Sequence, residues 1–95
     1  MAKSLTFVPG QQVVMMEGQE AIDRGVIRRV TKGGHPERQV IDVESRQVAP
    51  NTTTSFVFIP HQQPERAGWR MLFRDPMTDE LVFSQRAPCY RFVAA

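Results

Sequence analysis

The chain has 95 residues, 41% of them hydrophobic, and sets 12 Lys+Arg against 10 Asp+Glu for a formal charge of +2. That length holds one domain (1–95) with a modest core and leaves no room for a second, and the hydrophobic fraction excludes a disordered chain. The near balance of charge permits a nucleic-acid partner without demanding one. Ten of the twelve basic residues are arginine, which suits bidentate contact with phosphate or carboxylate, although a GC-rich genome produces the same bias. A lone Cys89 excludes an intramolecular disulfide and fits a reducing compartment. The first twenty residues carry no secretory pattern, and no apolar run approaches the ~20 residues of a membrane helix, so a cytoplasmic chain without membrane contact is expected.

Apolar residues recur at period two in short runs broken by Gly, Pro and polar clusters, which predicts an all-β domain. In chain order the strands are expected at about 12–17, 25–32, 38–44, 55–59, 69–74, 81–85 and 90–94. Between the first two, Gln19 to Arg24 forms a short polar connection, and Glu17 to Asp23 is the best place for a helical turn, though Gly18 opposes one. The second strand contains a conflict: Val26, Arg28 and Val30 share one face of a regular strand, and Ile27 and Arg29 the other. For Ile27 and Val30 both to reach the core, the strand must bend or bulge between them. In the third, Ile41 and Val43 face the core while Asp42 and Glu44 face water. In the fourth, Phe56 and Phe58 oppose Val57 and Ile59, as in a strand buried on both sides. Trp69, Met71 and Phe73 then share a face with Arg70 and Arg74 opposite, and the turn-rich Asp75 to Asp79 predicts a hairpin with Leu81-Val82-Phe83. Pro88 and Cys89 precede a last strand, Tyr90 to Val93. The stretches 32–37, 48–54 and 60–68 read as surface loops, where binding residues commonly sit.

One run carries a motif. Gly10, Val13, Met15, Met16, Gly18, Gly25, Ile27 and Val30 fall at the spacing of glycine and apolar residues that opens the KOW motif, and residues 10–30 resemble that motif of ribosomal proteins and bacterial transcription-elongation factors. The family has a further glycine twelve positions after the first, where this chain has Ile22, so its usual loop turn cannot form unchanged. The resemblance covers about a quarter of the chain and implies an SH3-like small barrel of about five core strands, with an added hairpin or C-terminal strand. A looser likeness, in Arg24-Gly25-Val26-Ile27 and in the aromatic strand after Gln63-Pro64, is to a small bacterial barrel family associated with hemimethylated DNA and heat-shock proteolysis.

No arrangement for catalysis emerges. His35 and His61 sit in different loops without ligands at metal spacing, Cys89 has no local feature to lower its pKa, and Gly33-Gly34 lacks the Lys-Ser/Thr of a phosphate loop. The expectation is a non-enzymatic binding module without metal or cofactor. The residues singled out for binding are Arg28, Arg29 and Lys32 at the end of the second strand, Arg70 and Arg74 on one face of the hairpin, and Arg91, with Arg86 nearby. Brought together they would make a basic strip for nucleic acid or a nucleoprotein machine, beside which Trp69, Tyr90 or Phe92, if exposed, would stack on an unpaired base. The opposing expectation is that Trp69 is core and the arginines pair with Asp42, Glu44 or Asp75. Two other functions fit the same chain: an adaptor or inhibitor, of the kind phages and plasmids encode, binding a host protein through a barrel edge, and a subunit that oligomerises through Tyr90 to Val93.

Overall fold

A computed structural model describes residues 7–32, 38–63, 66–84 and 86–95. It is all-β, with eight strands: β1 (Gln12–Glu17), β2 (Glu20–Lys32), β3 (Gln39–Ser45), β4 (Thr53–Ile59), β5 (Gly68–Met71), β6 (Phe73–Arg74), β7 (Leu81–Val82) and β8 (Arg91–Ala94). Six of them form one antiparallel sheet in the order β5-β4-β3-β2-β1-β8, and β6 and β7 form a separate two-stranded hairpin. The sheet curls until its outer strands touch at a single antiparallel bridge, where Trp69 and Tyr90 exchange N–H···O bonds of 2.8 Å. The result is barrel-like, with a seam between β5 and β8.

Two glycines of the opening run make the first hairpin. Gly18 has φ +62° and sits at the first central position of the two-residue turn joining Glu17 to Glu20, the site that a type II′ turn reserves for glycine. The polar connection expected at Gln19 to Arg24 and the helical turn expected at Glu17 to Asp23 are therefore not formed: β2 begins at Glu20, because the tight turn lets pairing resume at once. Gly25 answers a different need. It packs so tightly against β3 that a Cβ there would lie 2.6 Å from Val43 Cγ1 and 2.9 Å from the Glu44 carbonyl oxygen.

Two bulges bend β2. The register jumps from Met15↔Asp23 to Met16↔Ala21, leaving Ile22 as the extra residue, and from Ile27↔Val43 to Arg29↔Asp42, leaving Arg28 as the extra one. An added residue kinks a strand and strengthens its twist. The second bulge resolves the conflict in the sequence: Ile27 is fully buried and Val30 packs against the same core. The first turns Ile22 inward to pack against the core.

The core fills the concave side of the sheet. Ile41 and Val43 point in, and Trp69 is its hub, 1% exposed, with edge-to-face rings of Phe58 at 5.3 Å, Phe7 at 5.6 Å and Phe92 at 6.2 Å. Each such aromatic pair adds about 0.5–1.5 kcal/mol beyond the area it buries. Phe56 and Val57 are both buried, as a strand covered on two sides requires. The predicted strand 69–74 divides: Gly68–Met71 joins the large sheet, and only Phe73–Arg74 enters the hairpin with Leu81–Val82. Trp69 pairs with Phe58 inside while Phe73 is half exposed, so one straight strand could not satisfy both.

Candidate nucleic-acid interface

Directly paired residues in a sheet project to the same face. Asp42 lies between inward Ile41 and Val43, so its partner Arg29 faces outward. Arg28, extra in the bulge, also faces outward and forms an ion pair with Glu44 at 2.5 Å. In a regular strand the two arginines would point to opposite faces, and one would enter the core. The bulge puts both on the convex face.

The other predicted residues are placed apart from this pair. Arg70, on the outer face of β5, donates from Nη1 to the Ala87 carbonyl (2.8 Å). Arg74 donates to the Asp79 carbonyl at 2.7 Å across the turn of the small hairpin. Arg91 donates from Nη2 to the Gly18 carbonyl at 3.2 Å, tying β8 to the β1–β2 turn. Arg70 is three strands from Arg28 in the sheet order and Arg91 two strands away on the other side, while Arg74 belongs to the second sheet. These three brace the chain instead of extending a strip from β2. Lys32 ends β2, and its side chain lies outside the described residues, as do loop residues 33–37 with His35. The expected base-stacking surface is overturned: Trp69, Tyr90 and Phe92 are 1%, 9% and 2% exposed, because all three belong to the aromatic core.

Two further arginines join the outward face. Arg24 precedes Val26 and Arg28 at the period-two spacing that keeps residues on one side of a strand. Arg46 follows β3 directly, and its N–H donates to the Arg24 carbonyl at 2.7 Å. Arg24, Arg29 and Arg46 are exposed and have no side-chain partner among the described residues. Of the acids on this face among the described residues, Glu44 pairs with Arg28, while Asp42, the cross-strand partner of Arg29, accepts from Ser55 Oγ at 2.6 Å and keeps its charge. The alternation Arg24-Val26-Arg28 was a readable signal, hidden because Arg24 fell in the expected connection. Arg46 had none, since its place depends on the β2–β3 register.

At the end of the sheet beside the β1–β2 turn lies a cavity of about 320 Å³, walled by Met15, Ile22, Phe56, Met71 and Phe92. Asp23 stands at its edge. Its carboxylate accepts from Ser45 Oγ (2.7 Å) and from the N–H groups of Arg24 (2.7 Å), Val48 (3.2 Å) and Gln47 (3.3 Å), which pins the β3–β4 loop. Burial pushes Asp23 up, but these hydrogen bonds outweigh it and hold the carboxyl below its ordinary value. An oxygen pair so occupied holds a loop in place rather than acting as a base. Cys89 is half-buried, and burial raises its thiol, with nearby Arg70 offsetting part of the rise. Among the described residues no three His, Cys, Asp or Glu side chains gather as metal ligands, and no helix is long and apolar enough to cross a membrane.

No protein-family model, curated protein or solved structure matches the chain.

Proposed function

We propose that this chain is a non-catalytic binding module of the SH3-like barrel type that engages nucleic acid, alone or within a nucleoprotein machine, through the outward face of β2. The observation that carries this reading is the bulge at Arg28: it gathers Arg28 and Arg29 on the face that already holds Arg24 and Arg46, where the four arginines outnumber Asp42 and Glu44. Arg24, Arg29 and Arg46 have no side-chain partner among the described residues, and guanidinium groups suit the phosphate backbone. The meander from β1 to β5 and the long bent β2 support the SH3-like assignment.

The test is fluorescence anisotropy with labelled single- and double-stranded oligonucleotides at increasing salt. Four arginines meeting three or four phosphates give a log–log salt slope of about −2.1 to −2.8 on single strands and about −2.7 to −3.6 on duplex, so affinity falls about 20- to 150-fold between 50 and 200 mM salt. Absence of binding at 50 mM, or binding indifferent to salt, overturns the proposal.

One observation favours a second reading, a protein adaptor. The seam between β5 and β8 holds a single bridge among the described residues, and exposed Met71 and Val48 border the end cavity beside it. An extended peptide added along that edge would gain backbone hydrogen bonds and place an apolar side chain in the cavity. A host protein retained in a pull-down after nuclease treatment supports this reading, and loss of every partner on nuclease treatment removes it.

A further inference from the structure

Arg24 and Arg46 do more than share a face. Both line one hollow of about 270 Å³ on the convex side of the sheet, over Gly25 and Val26 and beside Gln12. The Arg46 N–H bond to the Arg24 carbonyl fixes the two backbones side by side. Arg28, Arg70, Arg74 and Arg91 each have an acid or a carbonyl of the chain as partner. Neither arginine of the hollow has one among the described residues, and Ala95, which also lines it, forms no ion pair with them. Two guanidinium groups brought to 4 Å in water would repel each other by about 1 kcal/mol, and an anion between them reverses the sign. A guanidinium matches two oxygens of a phosphate at once, and the Gln12 side-chain amide adds a neutral donor.

We infer that the hollow between Arg24 and Arg46 is an oxyanion site that seats a single phosphate group, the two arginines sharing that one group. Resting on the nucleic-acid reading, the phosphate is one of the backbone, and its capture sets the register of the strand across β2, with Arg28 and Arg29 meeting later phosphates. Free phosphate has the same chemistry and is the second source.

Two measurements on the intact chain test this. In the first, inorganic phosphate is titrated at low salt while amide and arginine Nε–H resonances are followed by NMR, with chloride at matched ionic strength as control. Saturable shifts at Arg24, Arg46 and the 24–26 backbone that chloride does not produce are expected. Their absence overturns the site. In the second, oligonucleotide affinity is measured against salt for Arg24→Gln, Arg46→Gln and the double variant, each checked for an unchanged melting temperature. Loss of one phosphate contact reduces the slope by about 0.7 to 0.9 and the affinity at 50 mM salt by about 8- to 15-fold. Because one phosphate is shared, the remaining arginine keeps part of the contact in each single variant, and the double variant should lose one contact in all, about 0.7 to 0.9 of slope. A slope that falls by about 1.4 to 1.8 in the double variant places the arginines on separate phosphates and overturns the inference, as does a slope unchanged in all three. Phosphate-specific shifts in a chain that binds no oligonucleotide uphold the site and reject the nucleic-acid reading.

Discussion

Gly25→Ala is the most informative single change to the framework. The added methyl would stand 2.6 Å from Val43 Cγ1 and 2.9 Å from the Glu44 carbonyl oxygen, where ordinary contact begins at 3.4 Å. Val43 is a core residue, 6% exposed, that borders the end cavity and has room to turn; the Glu44 oxygen is backbone and moves only if β3 moves. Relief therefore requires β2 and β3 to separate where their register holds Arg24 beside Arg46. Overpacking of this kind costs about 1–3 kcal/mol. With a backbone atom as one of the obstacles, we expect about 2–3 kcal/mol, which at about 4–8 °C per kcal/mol for a domain of this size lowers the melting temperature by about 10–20 °C. Gly18→Ala is the control: its methyl meets nothing within 4 Å and bears only the positive φ, a penalty of about 1 kcal/mol. Urea unfolding followed by circular dichroism, with m-values compared, measures both. A Gly25→Ala protein within 0.5 kcal/mol of the parent, or less affected than Gly18→Ala, would refute the close-approach argument.

Asp23→Ala should lower stability at pH 7 by about 1 kcal/mol through lost hydrogen bonds to the β3–β4 loop. The Asp23 carboxyl titrates below its ordinary 3.8 when folded, so its contribution is complete above that value and vanishes as pH falls through the depressed one; unfolding curves should converge in acid, and a gap that persists there contradicts the assignment. Trp69 is the chain's one tryptophan, and its emission should be blue-shifted, resist iodide quenching and stay constant on oligonucleotide binding. Quenching by nucleic acid would place the ring at the interface after all. Alkylation of Cys89 by iodoacetamide should be slower at pH 8 than that of a free thiol, because burial raises its pKa; a faster reaction would contradict that environment.

Much of the sheet was legible because strand burial is a period-two property of local sequence. The alternation of Ile41 and Val43 with Asp42 and Glu44 marked β3, and the incompatible faces of Ile27 and Val30 located the bulge at Arg28. The β1–β2 turn was misread because the bulge at Ile22 spoils the alternation of residues 20–24, leaving a strand that looks like a connection. The break at Leu72 escaped notice for a different reason: 69–74 alternates well, and only the pairing of Trp69 with Phe58 and of Phe73 with Val82 divides it. The arginines were least legible. Which of them meet depends on strand order, a non-local property, and the carbonyls that engage Arg70, Arg74 and Arg91 belong to backbone that no side-chain pattern reports.

On the proposed reading the outward face of β2, and not the arginines elsewhere on the sheet, binds nucleic acid. The most direct measurement is the salt slope of oligonucleotide affinity for two variants: one with Arg24, Arg28, Arg29 and Arg46 changed to glutamine, the other with Arg70, Arg74 and Arg91 so changed. The first should fold with a modest loss of about 1–2 kcal/mol, since it leaves the mostly buried Glu44 without its ion pair, and its slope should fall from about −3 to near zero. The second should melt lower for want of its braces yet keep the parent's slope while folded. A parental slope in the first variant, or its loss in the folded second, would contradict the account.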